Sequence, residues 1–277
     1  MIVDAHCHAW ERWPYQPPVP DVHSRGRVEQ LLWEMDRNGV ERAVVVCARI
    51  DGNAGNNAYV ARCAAGASGR LVQFADVDCS WSRAYHQPGA AERLAGAAVH
   101  YGLKGFTHYL RDDPAWFDSA EGRAFWARAT DLNLIASVSL SPRWQPALRQ
   151  MAARFPRLTF LCHHMAGARV DDPSGIDEIR ASAVHPNIWI KLSGFHYVDA
   201  TRSWDFPHAG AREVARSLYA AYGPERLCWG SDYPVVRFHM TYQQALEVAR
   251  THCDFIADKD QELILGGNME RLLEAAG

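Results

Sequence analysis

Residues 2–10 read Ile2-Val3-Asp4-Ala5-His6-Cys7-His8-Ala9-Trp10. The opening apolar run, Ile2–His6, predicts a β-strand, and the residues at its end decide the fold. An open, doubly wound α/β sheet usually places a Gly-rich phosphate turn directly after its first strand. Here that position carries His6-Cys7-His8. Seven further runs, Arg42–Ala48, Leu71–Val77, Gly102–Thr107, Leu134–Ser139, Leu158–His163, Ile188–Leu192 and Leu227–Gly230, also read as strands. Most are continuous stretches of Val, Ile, Leu or Phe, the pattern of parallel strands covered on both faces.

Helical stretches separate them: Val28–Asn38, Ala90–Tyr101, Glu121–Asp131, Gln145–Arg154, Gly175–Ala183, Ala209–Tyr222, Thr241–Phe255 and Asp260–Ala276. In the first, Val28, Leu31, Leu32 and Met35 share a face, and Asn38-Gly39 supplies the stop. Successive strands start about 24 to 40 residues apart, room for one strand, one helix and two short loops. No Pro/Ser/Gly-rich linker and no charge block divides the chain. Eight βα units predict an α/β fold, a single-domain (β/α)₈ TIM barrel over residues 1–277.

Composition sets the outer limits. The chain has 277 residues, 48% hydrophobic and 22% charged, with a formal charge of −3. That excludes a disordered tail, a collagen and a coiled coil. No basic stripe offers itself to nucleic-acid phosphates. The longest apolar run near the N-terminus, Ala43–Ala48, is far short of the roughly 20 residues that cross a bilayer. The N-terminus lacks a basic leader. Seven cysteines, an odd number with no CxxC, predict buried thiols in a reducing cytoplasm rather than a disulfide framework. The expected partner is a small molecule, with no nucleic acid and no membrane; homo-oligomerisation stays open.

In a parallel barrel the C-terminal strand ends gather at one rim, where catalytic groups sit. Alternation puts His6 and His8 on one side of strand 1, where two imidazoles can share a divalent metal. Cys7 then points away from them. Strand 6 ends in His163-His164; if the strand continues, one of the two faces the axis. Strand 8 leads through Gly230 and Ser231 to Asp232, a residue that on its own would read as a turn cap. Arg49, Arg111, Arg143, Arg169 and Arg237 follow strands and offer forks for carboxylates. Trp10, Trp81, His108, Tyr109, His196 and Tyr197 follow strands too and are candidates to wall a planar ring. No GxSxG elbow, P-loop or HExxH occurs.

Taken together, Asp4-x-His6-x-His8, the strand-6 histidine and Gly230-Ser231-Asp232-x-Pro234 resemble the amidohydrolase superfamily, in particular its amidohydrolase-related ("amidohydrolase 2") branch. That branch includes 2-pyrone-4,6-dicarboxylate lactonases, sugar-acid lactonases and aminocarboxymuconate-type decarboxylases. Gly102-Leu103-Lys104-Gly105-Phe106, Lys191-Leu192-Ser193-Gly194 and Gly266-Gly267-Asn268-Met269 resemble the lactonase side. The resemblance implies a TIM barrel and a hydrolase that opens a carboxylated or polyhydroxylated lactone. It implies Asp232 as general base with His164 as a second catalytic group, and His6, His8, His164 and Asp232 as metal ligands. Arg49, His108, Tyr109, Arg143, His196 and Tyr197 are then the substrate-binding candidates.

Two departures limit the metal to one ion. The bridging Lys or Glu of binuclear members is missing from the strand-4 end, Gly105-Phe106-Thr107-His108. The strand-5 end, Ser137-Val138-Ser139, lacks the histidine of metal-dependent deaminases and decarboxylases. The expectation is a mononuclear zinc or manganese site, with metal-free catalysis open. A non-oxidative decarboxylase and an inactive ligand-binding barrel are the alternatives.

Overall fold

The strand Arg42–Val46 shows how the sequence builds the core. Val44 and Val46 point inward with Val3, Ala5, Phe74, Ile135 and Leu161, while Ala43 and Val45 point outward against the helices. Both faces are buried, so the run is apolar without polar alternation. This computed structural model describes residues 1–16, 19–111 and 113–277. The eight strands are β1 Val3–Cys7, β2 Arg42–Val46, β3 Leu71–Asp76, β4 Gly105–Tyr109, β5 Ile135–Ser139, β6 Phe160–Cys162, β7 Ile188–Leu192 and β8 Leu227–Trp229. Each pairs in parallel with the next in chain order. The segment after β8 returns to β1: Asp232 N–H donates to the His6 carbonyl at 2.8 Å, and His8 N–H to the Tyr233 carbonyl at 2.6 Å. This is the expected (β/α)₈ barrel.

The helices are α1 Val28–Asn38, α2 Asn56–Gly66, α3 Ala90–Tyr101, α4 Ala120–Asp131, α5 Gln145–Arg154, α6 Pro173–Ala181, α7 Phe195–Val198, α8 Ala209–Tyr222, α9 Tyr242–Glu247, α10 Asp258–Glu262 and α11 Asn268–Ala275. Helix α2 was not expected. Its buried face is Asn56, Asn57, Tyr59 and Val60, half of it amide, which hides the apolar period. The two C-terminal helices expected to run unbroken each contain a π turn, at Val248–His252 and Leu263–Gly267. Helix α11 plugs the N-terminal mouth of the barrel with Met269, Leu272 and Leu273. Lys104 donates to the Leu273 and Ala276 carbonyls at 2.8 and 2.9 Å, so its role is to cap that helix.

Strand β4 differs from expectation in a way that matters for the site. Gly102 is the left-handed cap of α3 (φ 61°), so the strand begins at Gly105 and runs to Tyr109. His108 therefore lies within the strand rather than after it. None of the seven cysteines is paired, and six are buried. Among the described residues, no helix is long and apolar enough to cross a membrane.

Candidate active site

Strand β1 carries an extra residue. Asp4 pairs with Ala43 and Cys7 with Val45, three steps on β1 against two on β2. The bulge resets the alternation. Asp4 turns outward, where it accepts from Ser231 N–H and Oγ at 2.9 and 2.5 Å and from the Tyr242 hydroxyl at 2.9 Å. It ties β1 to the β8 turn, and burial raises its pKa to about 6 despite those bonds. His6 and His8 turn inward together, with their Nε2 atoms 3.2 Å apart. Gly230 makes room for them: a Cβ there would lie 2.7 Å from the His6 Cβ.

Each ring is fixed from behind. His8 Nδ1 meets the Val46 carbonyl at 2.6 Å. A carbonyl only accepts, so Nδ1 holds the proton and Nε2 presents a bare lone pair. His6 Nδ1 lies 3.1 Å from Lys191 Nζ, which also donates to Ser137 Oγ at 2.8 Å. Lys191 is fully buried inside the barrel, and desolvation pulls its pKa down to about 7. In its neutral form the amine accepts from His6 Nδ1–H and leaves His6 Nε2 bare; in its charged form it donates to Nδ1. Sequence reading gave Lys191 no role. Its signal was a lysine in the apolar strand Ile188-Trp189-Ile190-Lys191-Leu192, in phase with the inward Trp189.

The two strand-6 histidines do not divide between inside and outside. Strand β6 ends at Cys162, and the backbone turns left-handed at His164, Met165 and Ala166 (φ 46°, 50° and 56°). Both rings consequently sit 4.5 Å from His6, centroid to centroid. His163 Nε2 contacts Ser137 Oγ at 2.7 Å, deeper in the barrel. His164 Nδ1 contacts Ser193 Oγ at 3.0 Å, and its Nε2 lies 3.8 Å from Asp232 Oδ1. Burial lowers the His164 pKa to about 4.

Asp232 stands where these groups meet. Its own φ of 59° is a left-handed conformation that a non-glycine residue holds only under constraint. Oδ1 is 3.5 Å from both His6 Nε2 and His8 Nε2. Oδ2 accepts from the Tyr197 hydroxyl at 2.7 Å and lies 3.9 Å from His196 Nε2. Burial alone would raise its pKa, but the surrounding imidazoles of His164, His8 and His196 outweigh that and bring it to about 2. The carboxylate is ionised at neutral pH.

The donor set suits one small divalent ion. Tetrahedral bonds of about 2.0–2.1 Å put ligand atoms roughly 3.3–3.4 Å apart. The separations of 3.2, 3.5, 3.5 and 3.8 Å bracket that value. The Nε2 atoms of His6 and His8, together with Asp232 Oδ1, are thus spaced to close on such an ion, and His164 Nε2 flanks them on the Asp232 side.

Around this centre, Trp10 stacks on His8 and is pinned by Nε1–H to the Ala48 carbonyl. Tyr15, which sequence reading missed, packs edge-on to Trp10. Tyr109 packs on Trp81 and against His163. Among the substrate-binding candidates, Tyr109, His196 and Tyr197 reach the barrel mouth. Among the described residues His196 has no hydrogen-bond partner at either ring nitrogen, and it stacks on His239. Arg49 is 39% exposed, with its Nε 3.6 Å from Asp76 Oδ1 and its backbone N–H on Asp76 Oδ2.

His108 does not join them. The longer β4 puts it in phase with outward Phe106, where it packs against Phe125 and Trp126 of α4. Arg143 is exposed in the turn Pro142–Trp144 after β5. Arg169 pairs with Asp171.

The sequence model of the family described as Amidohydrolase matches residues 3–275. An L-fucono-1,5-lactonase from Burkholderia ambifaria is 30% identical over 285 residues, covering 96% of this chain and 93% of the relative. Among solved structures, an amidohydrolase from Burkholderia multivorans with bound zinc superposes with a TM-score of 0.80 at 21% identity, covering 99% of each chain. A structure described as a probable 2-pyrone-4,6-dicarboxylic acid hydrolase from Acinetobacter baumannii gives 0.78 at 20%, again over 99% of each chain.

Proposed function

Because the chain belongs to the amidohydrolase family, we propose that it is a hydrolase that opens a lactone by adding water to the ring carbonyl. The observation that carries this reading is the convergence of the ionised Asp232 with three imidazole Nε2 atoms at the barrel mouth. Asp232 takes a proton from the attacking water as the new C–O bond forms, and returns it to the ring oxygen as the old C–O bond breaks. Tyr197 holds Asp232 by its second oxygen, so Oδ1 stays directed at the imidazoles. Tyr109, Tyr15 and Trp10 wall the ring and exclude bulk water. His6, His8, His164 and Asp232 would hold a single zinc or manganese ion. Such an ion, when bound, supplies Lewis acidity to the carbonyl and lowers the pKa of water.

A neutral, polyhydroxylated ring suits the walls better than a carboxylated one. Arg49, at the rim after β2, is already matched by buried Asp76, and Tyr15 and Tyr109 offer phenolic hydroxyls to sugar oxygens. The likeness to an L-fucono-1,5-lactonase supports the same choice. The unpaired buried thiols suit a reducing compartment such as the cytoplasm. The test is proton release at pH 7 with neutral sugar δ-lactones and with a pyrone dicarboxylate lactone. A higher kcat/KM on the neutral set is expected. Preference for the dicarboxylate overturns the substrate class, and silence on both overturns lactone hydrolysis.

A further inference from the structure

Outside the barrel wall, between β4 and α4, a second set of ligand-type side chains comes together. Asp78 and His86 lie on the loop between β3 and α3, and His108 lies on β4. One ligand atom from each falls within 4.8 Å of the others. His108 is fully buried, and its Nδ1 meets the Val77 carbonyl at 3.1 Å. That contact requires the proton on Nδ1, so the lone pair on Nε2 is bare; it is buried with no donor facing it among the described residues. His86 Nε2 is also buried without a hydrogen-bond partner among the described residues.

His86 is held firmly for a loop residue. Its ring is sandwiched between Tyr85 and Trp116, at 3.6 and 3.8 Å between centroids. Its backbone is left-handed (φ 58°), and its N–H donates to Asp78 Oδ2 at 3.0 Å. Arg93 of α3 orients the same carboxylate through Oδ1 at 2.6 Å. A buried lone pair without a donor is costly, and a left-handed loop residue that brings a second imidazole beside it needs a reason.

We propose that Asp78, His86 and His108 form a second metal centre, separate from the barrel mouth, that takes a zinc-type divalent cation through two imidazoles and one carboxylate. It shares no ligand with the barrel mouth, so its role is to staple the β3–α3 loop to β4. Two nitrogens and an oxygen select a borderline cation over magnesium or calcium. The Arg93 charge beside Asp78 opposes a cation. This centre therefore binds more weakly than the barrel mouth and fills after it.

The test counts zinc in chelator-stripped protein by titration calorimetry and elemental analysis at equilibrium. Wild type is expected to take up about two ions per chain, with four protein ligands at one centre and three at the other. His86→Gln, at a partly exposed loop position and so tolerant of change, should take up about one. His6→Ala/His8→Ala should keep the weaker one, with its unfolding midpoint raised by zinc, and the triple variant should hold none. Wild-type zinc content in folded His86→Gln would overturn the proposal. So would a folded His6→Ala/His8→Ala variant that binds no zinc. Should that double variant fail to fold, the comparison of wild type with His86→Gln and Asp78→Asn decides alone: equal content overturns, one ion lost supports.

Discussion

His8 and His108 are both buried histidines near the ends of barrel strands, and both fix Nδ1 on a backbone carbonyl so that Nε2 is bare. The regions they serve differ in the carboxylate. At the mouth, Asp232 is held by a phenol and surrounded by imidazoles, with no Lys or Arg salt bridge among the described residues. Its charge is left for a cation or a proton. Outside the wall, Asp78 is held by Arg93, which takes up that charge. The same residue types thus give a centre able to do proton chemistry in one place and at most a clamp in the other. Which carboxylate is already neutralised separates them, rather than how many histidines are gathered.

The largest effect should come from removing the charge that the mouth keeps free. Asp232→Asn should lower turnover by at least about a hundredfold, the scale of a lost general base. Asp78→Asn should change turnover little. Steady-state kinetics on the two variants breaks the comparison if the losses are equal.

Next is the support behind the ligands. Lys191→Met removes the partner of His6 Nδ1. Loss of such an outer partner typically weakens metal binding by about ten- to a hundredfold. Competition with a chromophoric chelator should show that loss at the tighter centre alone. An unchanged affinity would mean that Lys191 only fills space.

The third expectation concerns acid. His164 and His196 have pKa values of about 4 and 3 in the fold, because burial disfavours their charged forms. In the unfolded chain an imidazole titrates near its ordinary value of roughly 6.5. Below that pH the unfolded chain binds protons that the fold refuses. The stability they confer is present above about pH 6.5 and is lost as pH falls toward their folded values. Each contributes a slope of roughly 1.4 kcal/mol per pH unit in that window. Urea midpoints of metal-stripped protein should fall between about pH 6.5 and 5, and His196→Gln should flatten the decline. A flat wild-type profile would mean that these rings are not held neutral.

The smallest effect is at the rim. Arg49 is solvent-facing and matched by Asp76. Arg49→Met should shift KM for a neutral lactone by no more than about fivefold, the range of exposed ion pairs. A larger shift confined to an anionic lactone would show that Arg49 turns from Asp76 to substrate.

The barrel was legible because each strand is apolar on both faces, so its signal survives without tertiary information. The mouth was legible at His6, His8 and Asp232 because Asp4-x-His6-x-His8 at the first strand and Gly230-Ser231-Asp232-x-Pro234 after the last form one recognisable pattern, though Asp232 alone reads as a turn cap. What escaped depends on backbone events that leave weak marks. The β1 bulge separates Asp4 from His6, which simple alternation would have kept together. The left-handed run at His164–Ala166 brings two adjacent histidines to one side. The Gly102 cap shifts β4 and sends His108 outward. Lys191 was hidden for another reason: a lysine inside a barrel makes sense only once Ser137 and His6, from distant strands, are seen beside it.

The most direct test of the mouth as a catalytic centre is to titrate zinc or manganese into stripped enzyme while measuring proton release from a neutral sugar δ-lactone. We expect hydrolysis to rise with the first equivalent and to stay level through the second, with Asp232→Asn near background throughout. Hydrolysis that tracks the second ion, or that survives unchanged in Asp232→Asn, would contradict the assignment of the chemistry to His6, His8, His164 and Asp232.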